Sequence, residues 1–344
     1  MVNKRIDWKA ALLLFIVPLI AAMICLGFGR YSLSISETAA VLVEAAKHLL
    51  DPAYKIPEEM NMAYSVVINV RLPRIILAIF VGAGLACAGA AFQGLFTNPM
   101  ATPDTLGVAS GASFGAVLAM MFDANLVIVQ LMALLFGVVA CLLAYNISKI
   151  KGKSTIVMIV LAGMVISSMF QAFVSLAKYV ADPLDKLPSI TYWLMGSMSS
   201  ATYKTLVLGL PFIFVGILVI FALRWRLNIL SLNEDEARSM GVNIKFMRLL
   251  LIVAASLITA SCVSMCGQVG WVGLLIPHLT RMIAGSNNTV VIPVSISMGA
   301  IFMLIIDTFA RSATAAEIPL SILTAIIGAP FFIALLRKTG GGWS

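Results

Sequence analysis

Residues 71–115 read RLPRIILAIFVGAGLACAGAAFQGLFTNPMATPDTLGVASGASFG. From 75 to 103 no charged side chain interrupts the run, which is long enough to cross a bilayer. Its middle is built of small residues: Gly82, Ala83, Gly84, Ala86, Ala88, Gly89, Ala90 and Ala91. Lipid offers no hydrophobic drive for helix association, so membrane helices rely on close packing, which small residues permit. Asn98-Pro99 and Pro103-Asp104 then break the helix, because proline has no N–H and biases the residue before it away from helix. Irregular backbone at membrane depth persists only where protein or a water-filled cavity satisfies its polar groups. The stretch predicts a spanning helix, a structured break and a second, glycine-rich helix. The alternative is a plain helical hairpin with a turn in water; broken helices, by contrast, mark transport paths.

The whole chain follows that lead. It is 61% hydrophobic and 11% charged, where soluble domains carry about 25% charged residues. This composition predicts an all-α polytopic membrane protein. The net charge of +8 does not imply nucleic acid, since the basic residues sit between apolar spans, where membrane orientation explains them. Cys25, Cys87, Cys141, Cys262 and Cys266 lie in apolar runs without a CxxC pair, so no disulfide framework or metal site is expected. The uncharged run 10–29, behind Lys4, Arg5 and Lys9, is longer than a signal-peptide core and reads as a retained first span.

Ten uncharged stretches are candidates: 10–29, 75–103, 105–122, 124–148, 154–177, 187–203, 205–223, 249–280, 282–306 and 318–336. Basic clusters at Lys4/Arg5/Lys9, Lys149/Lys151/Lys153, Arg224/Arg226/Arg238/Lys245/Arg248 and Arg337/Lys338 belong on the cytoplasmic side. Only an even number of spans separates any two of them. The segment 187–203 therefore should not span, and 249–280 should divide in two at Gly267, Gly270, Gly273 or Pro277. Ten transmembrane helices with both termini cytoplasmic result. The external loop 30–71 carries apolar Ala40, Val43, Ala46 and Leu50 at helical spacing and predicts a surface helix starting near Ser36-Glu37.

A weak internal echo divides the single permease domain, 1–344, into a first half of about 1–180 and a second of about 205–344. Gln93, Asn98, Pro99, Pro103, Gly107 and Gly111 in the first half have counterparts in Gln268, Gly270, Pro277 and His278 in the second. Inverted repeats with interrupted helices are a transporter plan, and these residues are the expected helix breaks along the path. His278 reads as a structural hydrogen-bonding group, and Asp104 as a cap for the next helix. Asp307 and Arg311, at i and i+4, are placed to pair. The spans otherwise lack charge, which argues against an ion-coupled carrier and for a path lined by methionine, small residues and hydroxyls.

KGKST at 151–155 lacks the first glycine of a phosphate loop and joins two apolar spans, so it reads as a basic turn and not a nucleotide site. The cytoplasmic segment 229–246 is different. Ser231 or Asn233 is placed to cap a helix whose first turn holds Glu234, Asp235 and Glu236, with Ala237, Arg238, Ser239 and Met240 following and Gly241 closing it. A short charged helix on the membrane face suits docking. No nucleophile–base pair or catalytic cluster appears.

RLPR at 71–74, GAxxQxxxxNPxAxPxxLGVxxGAxxG at 89–115, EARSMGV at 236–242, GxxGLLIPHLTR at 270–281 and EIPLSILTAIIGAPFFIALL at 317–336 together resemble the FecCD-type permeases. These are membrane subunits of binding-protein-dependent ABC importers for ferric siderophores, haem and cobalamin. The resemblance covers nearly the whole chain. It implies a type II ABC importer permease fold in a bacterial or archaeal cytoplasmic membrane and no cofactor. The implied partners are two cytoplasmic ATPase subunits, an extracytoplasmic substrate-binding protein, membrane lipid, and a second permease copy or paralogue. It implies that 231–242 docks into the ATPase and that Arg71, Arg74 and Arg311 meet glutamates of the binding protein. Lipid-headgroup anchoring is the other role open to these arginines, which the parity reading places outside. A ferric siderophore leads among substrates, with haem, cobalamin or an oxyanion as alternatives.

Overall fold

The computed structural model describes residues 7–29, 31, 33–51, 54–149, 156–232 and 234–339. Among these residues every regular element is helical. The KGKST turn, Asn233 and the basic residues Lys4 and Arg5 lie outside the described residues.

Helix α1 (Trp8–Gly27) is capped by Asp7, which accepts from the Ala10 N–H at 2.8 Å. The surface helix α2 (Ile35–Leu50) starts slightly earlier than its sequence suggests. Ser34 and Glu37 form a capping box, with Oγ accepting from the Glu37 N–H at 3.1 Å. Its face toward the bundle is Thr38 and Val41, while Val43 and Leu50 are exposed. Near its far end Glu44 accepts from Lys47 and from the Tyr54 hydroxyl, contacts that hold its carboxyl below the usual range.

A short turn, Glu58–Met60, leads into α3 (Asn61–Tyr64), a π-helical turn (Ser65–Arg71) and α4 (Leu72–Phe96) as one continuous helix. The π turn has a local cause in Pro73. Its ring would clash with the carbonyl four residues back, and one wide turn relieves that clash without ending the helix.

Helix α4 is the buried centre. It packs against α9 (Tyr203–Leu230), α11 (Ile244–Cys266), α12 (Val272–Ala284) and α13 (Asn288–Ser312). The small residues explain how. A β-carbon at Gly89 would lie 1.8 Å from the Gly273 carbonyl oxygen, and one at Gly82 would lie 2.1 Å from that of Gly299. The backbones touch because both faces lack side chains.

Helix α4 ends at Thr97, in left-handed conformation with φ 47°. A 3-10 turn (Pro103–Leu106) follows, then Gly107 at φ 75° and α5 (Val108–Met121). Helices α6 (Leu126–Ile147) and α7 (Ile156–Val180) close this half. The segment 187–203 yields only the nine-residue α8 (Lys186–Leu194) before irregular backbone. The long run 249–280 breaks at 267–271, between α11 and α12. Helix α10 (Glu234–Ser239) is a six-residue turn between α9 and α11, and α14 (Leu320–Thr339) ends the described chain.

Among the described residues seven helices are long and apolar enough to cross a membrane, and three shorter apolar ones, α5, α12 and the first part of α14, accompany them. Helices α1, α7 and α9 expose apolar faces, including Phe15, Val165 and Phe214, whereas α4 and α11 are largely buried. Lipid-facing helices around a closely packed centre of small residues are the arrangement expected of a polytopic membrane protein.

Candidate functional site

The two broken helices meet. The turn after α4 and the 267–271 break before α12 wall two adjoining cavities of about 430 and 170 Å³, roughly midway along α4. Leu85, Asp104, Thr259, Val269 and Trp271 border both. Between apolar stretches, several hydroxyls and amides of the walls are held in pairs. Ser110 Oγ and Ser167 Oγ are 2.8 Å apart, and Gln268 Nε2 donates to Ser113 Oγ at 2.8 Å. Thr259 Oγ1 donates to the Ala255 carbonyl at 3.0 Å.

Trp271 is the strained residue of the site. Its φ is 70° and ψ −33°, and the Val272 N–H donates to the Gly270 carbonyl at 2.9 Å. That is a γ-turn of the rare positive-φ hand, costly for any side chain but glycine. The indole is held against Gly328 and lies 6.5 Å from the Phe332 ring. The strain fixes an aromatic wall between α12 and α14.

Of the expected path residues, Pro103, Gln268 and Gly270 line the cavities. Asn98 instead shapes the turn, its Oδ1 accepting from the Met100 N–H at 2.9 Å, with Pro99 beside it. Gly107 seats the turn against α7, and Gly111 lets α5 approach α6, so both are packing glycines and not lining ones. Pro277 and His278 are buried within α12. Asp104 does not cap α5: the position before that helix is Gly107, with no side-chain cap. Its carboxyl is exposed to the cavity instead. Methionine, expected along the path, is absent from these walls among the described residues.

Gln93 belongs to a polar cluster near the C-terminal end of α4. It donates to the Leu274 carbonyl at 3.2 Å and accepts from Arg281 Nε at 3.5 Å. Arg281 also reaches the Ala90 carbonyl at 3.2 Å and Asn288 Oδ1 at 3.1 Å. Asn228 donates to Asn287 Oδ1 at 2.8 Å and accepts from the Asn288 N–H at 2.9 Å. One half-buried guanidinium thus ties together α4, α12 and α13, and Asn228 adds α9.

The same end of the bundle carries α10. Ala237 is buried with Ile229 and Ile244, while Glu236, Ser239 and Met240 are exposed. Gly241 follows at φ 73°, and a β-carbon there would meet nothing within 4 Å. Ser231 does not cap α10; its Oγ donates to the Asn228 carbonyl at 2.7 Å and so closes α9. Backbone positions place Glu234, Asp235 and Arg238 on the short helix.

At the opposite end Arg71, Arg74 and Arg311 converge, as a docking patch would require, but they are buried. Arg74 Nε donates to Asp307 Oδ1 at 2.8 Å and Nη1 to Glu317 Oε1 at 2.7 Å. Arg311 Nε lies 3.7 Å from Asp307 Oδ2, the expected i, i+4 pair, and its Nη2 donates to the Cys25 carbonyl at 2.6 Å. Arg71 Nη1 donates to the Leu26 and Gly27 carbonyls at 2.7 and 3.1 Å, and its Nη2 to Tyr31. Leu26 and Gly27, like Cys25, carry the last carbonyls of α1, which no helical N–H can satisfy. Two arginines therefore cap α1, with the charge sign that a helix C-terminus favours. Gly29 leaves the room, since a β-carbon there would sit 2.6 Å from Arg71 Nη2. All three guanidiniums are buried, and each hydrogen-bonds to groups inside the chain.

Among the described residues no group of three or more His, Cys, Asp and Glu side chains is placed to hold a metal. Cys262 and Cys266 are both buried, and the Cys266 thiol donates to the Cys262 carbonyl at 3.1 Å.

The motifs on both breaks, in α10 and in α14 fall inside one family model, that of the FecCD transport family, which matches residues 14–338. The chain belongs to the FecCD transport family. It is 41% identical over 331 residues to the molybdate import system permease protein MolB of Haemophilus influenzae, covering 96% of this chain and 95% of that one. A Helicobacter pylori protein named as an iron chelatin transport system permease is 35% identical over 323 residues, covering 94% of this chain and 96% of its own. A solved inward-facing structure of a metal-chelate type ABC transporter superposes with a TM-score of 0.83 at 39% identity, covering 96% of this chain and 99% of that one.

Proposed function

We propose that this chain is the transmembrane permease subunit of a binding-protein-dependent ABC importer, and that it carries an iron chelate of the ferric siderophore type. The carrying observation is the meeting of two broken helices on two adjoining cavities bordered by Asp104, in a chain of the FecCD transport family. The cavity opens beside α7 and α14, so a second copy or paralogue across a twofold axis would complete the path. Energy would come from separate ATPase subunits docked on α10, whose buried Ala237 anchors a turn that exposes Glu236 and Ser239. A binding protein would dock at the arginine end, on a rim that Arg71, Arg74 and Arg311 hold in shape. A secondary carrier, haem, cobalamin or an oxyanion are the competing readings, and the molybdate relative favours the last.

The proposal includes ten spans in a cytoplasmic membrane with both termini inside. The seven long helices and the three short apolar ones support that count. Labelling checks it: in intact cells a cysteine at Asp182 should react with an impermeant maleimide, and one at Glu236 should not. Reaction at Glu236 would invert the topology.

Function is checked in proteoliposomes holding the permease, its ATPase and its binding protein. Iron-loaded siderophore uptake should require internal or external ATP on the ATPase side and should ignore proton and sodium gradients. Uptake that follows an ion gradient without ATP would show a secondary carrier instead.

A further inference from the structure

We infer that Asp104 makes this cavity select neutral or cationic solutes over anionic ones. The inference rests on the cavity being the transport path, and it narrows the substrate to chelates without net negative charge, such as ferric hydroxamates.

Asp104 is the one charged side chain among the described residues that line the two cavities. It is rigidly presented. The Gly107 N–H closes the turn onto the Asp104 carbonyl at 2.9 Å, and Thr105 Oγ1 donates to the Thr102 carbonyl at 2.6 Å. Gly163 of α7 takes the turn in direct contact, since a β-carbon there would lie 2.0 Å from the Thr105 carbonyl oxygen.

The rest of the wall points the same way. An oxyanion offers only acceptor oxygens and needs donors or cations around it. Here part of the donor set is engaged within the protein: Gln268 Nε2 on Ser113, Thr259 on the Ala255 carbonyl, and one hydroxyl of the Ser110–Ser167 pair on the other. Gln171 Nε2 leans on Ser110 at 3.4 Å. The acceptor oxygens of these groups remain, together with the indole of Trp271, whose face suits a cation.

The first turns of α5 and α12 also border the cavities, through Ala109 and Ser110 and through Gly273 and Leu274. Helix N-termini favour one negative charge. Asp104 supplies it from within the chain, so the dipoles are answered before any solute arrives. A second negative charge would meet a carboxylate without a neighbouring cation.

The test is charge-selective modification of a reporter thiol in the full-length permease in membrane vesicles. Ser321 lines the larger cavity, and its substitution Ser321→Cys leaves the Ser110–Ser167 and Gln268–Ser113 pairs intact. Reaction rates are measured with a trimethylammonium and a sulfonate methanethiosulfonate, with the parent chain giving the background of its own cysteines. Because a confined charge focuses its field, the cation-to-anion rate ratio should fall by about tenfold when Asp104→Asn is added. It should be retained with Asp104→Glu, which guards against a folding artefact. An unchanged ratio in Asp104→Asn overturns the inference, and so does a Ser321→Cys thiol that reacts with neither reagent. The measurement needs no ATPase or binding protein. A flat ratio therefore leaves the importer reading standing, while failed ATP-dependent uptake with the ratio intact removes that reading and leaves the charge filter.

Discussion

Replacing Asp307 with alanine should destabilise the fold by about 3–5 kcal/mol, the usual cost of stranding buried charge. Asp307 is fully buried and lies between two guanidiniums, 2.8 Å from Arg74 and 3.7 Å from Arg311. Without it, among the described residues, Arg74 keeps Glu317 and Arg311 keeps its bond to the Cys25 carbonyl. Two positive charges would then share a site with half the compensation. The damage should spread to α1, because Arg311 and Arg71 together hold its last carbonyls. Thermal unfolding of detergent-purified protein should show the loss, and an impermeant label should find the α1–α2 connection more open. The paired replacement Arg74→Met with Asp307→Leu should recover much of the stability, since an apolar pair of similar volume needs no desolvation. A protein with Asp307→Ala that melts like the parent, while its binding protein no longer associates, would restore the docking role that burial argues against.

This corner also shows where sequence reading stops. Three basic residues on the unexpected side of the membrane were visible as an anomaly, and an acidic partner was the natural answer. The partners turn out to be internal. Asp307 and Glu317 lie more than two hundred residues from Arg74, and the carbonyls of α1 carry no sequence signature at all. Only the Asp307–Arg311 spacing could be read locally. Charge placement tells which side a residue occupies, not how deeply it is buried.

The breaks were easier, for a physical reason. Proline and glycine act on the backbone at their own positions, so the break after α4 and the division of 249–280 could be placed from composition and span parity. The cavity between them could not. Its wall is assembled from Asp104, Ser110, Ser167, Thr259 and Trp271, which sit on separate elements. Asp104 illustrates the difficulty. A carboxylate shortly before a helix reads as a cap, and only the left-handed Gly107 and the seat against α7 turn it toward the cavity. The strain at Trp271 was equally hidden, because nothing in GQVGWVG says which residue will take the positive φ.

Replacing Gly241 with valine should uncouple transport while leaving membrane insertion normal. Gly241 has φ 73°, and a β-carbon there would touch nothing within 4 Å, so the effect cannot come from a clash. It comes from the backbone: a left-handed conformation costs an L-residue about 1–2 kcal/mol, and more when the side chain is β-branched. The chain would shift out of that conformation, and α10 would lose its stop. Among the described residues Ala237 packs with Ile229 and Ile244 to hold this turn to the bundle, so a small change in exit angle tilts the exposed Glu236 and Met240. An ATPase docked there would read a different surface. Substrate-stimulated ATP hydrolysis and uptake in the reconstituted complex should both fall sharply, while labelling at Asp182 stays as in the parent. Gly241→Asn is the decisive companion, because asparagine tolerates the left-handed region and should keep most of the activity. If asparagine and valine are equally harmful, the loss is one of side-chain bulk at the interface and not of backbone geometry. If both are harmless, α10 does not transmit the ATPase stroke, and the coupling surface has to be sought elsewhere at that end of the bundle.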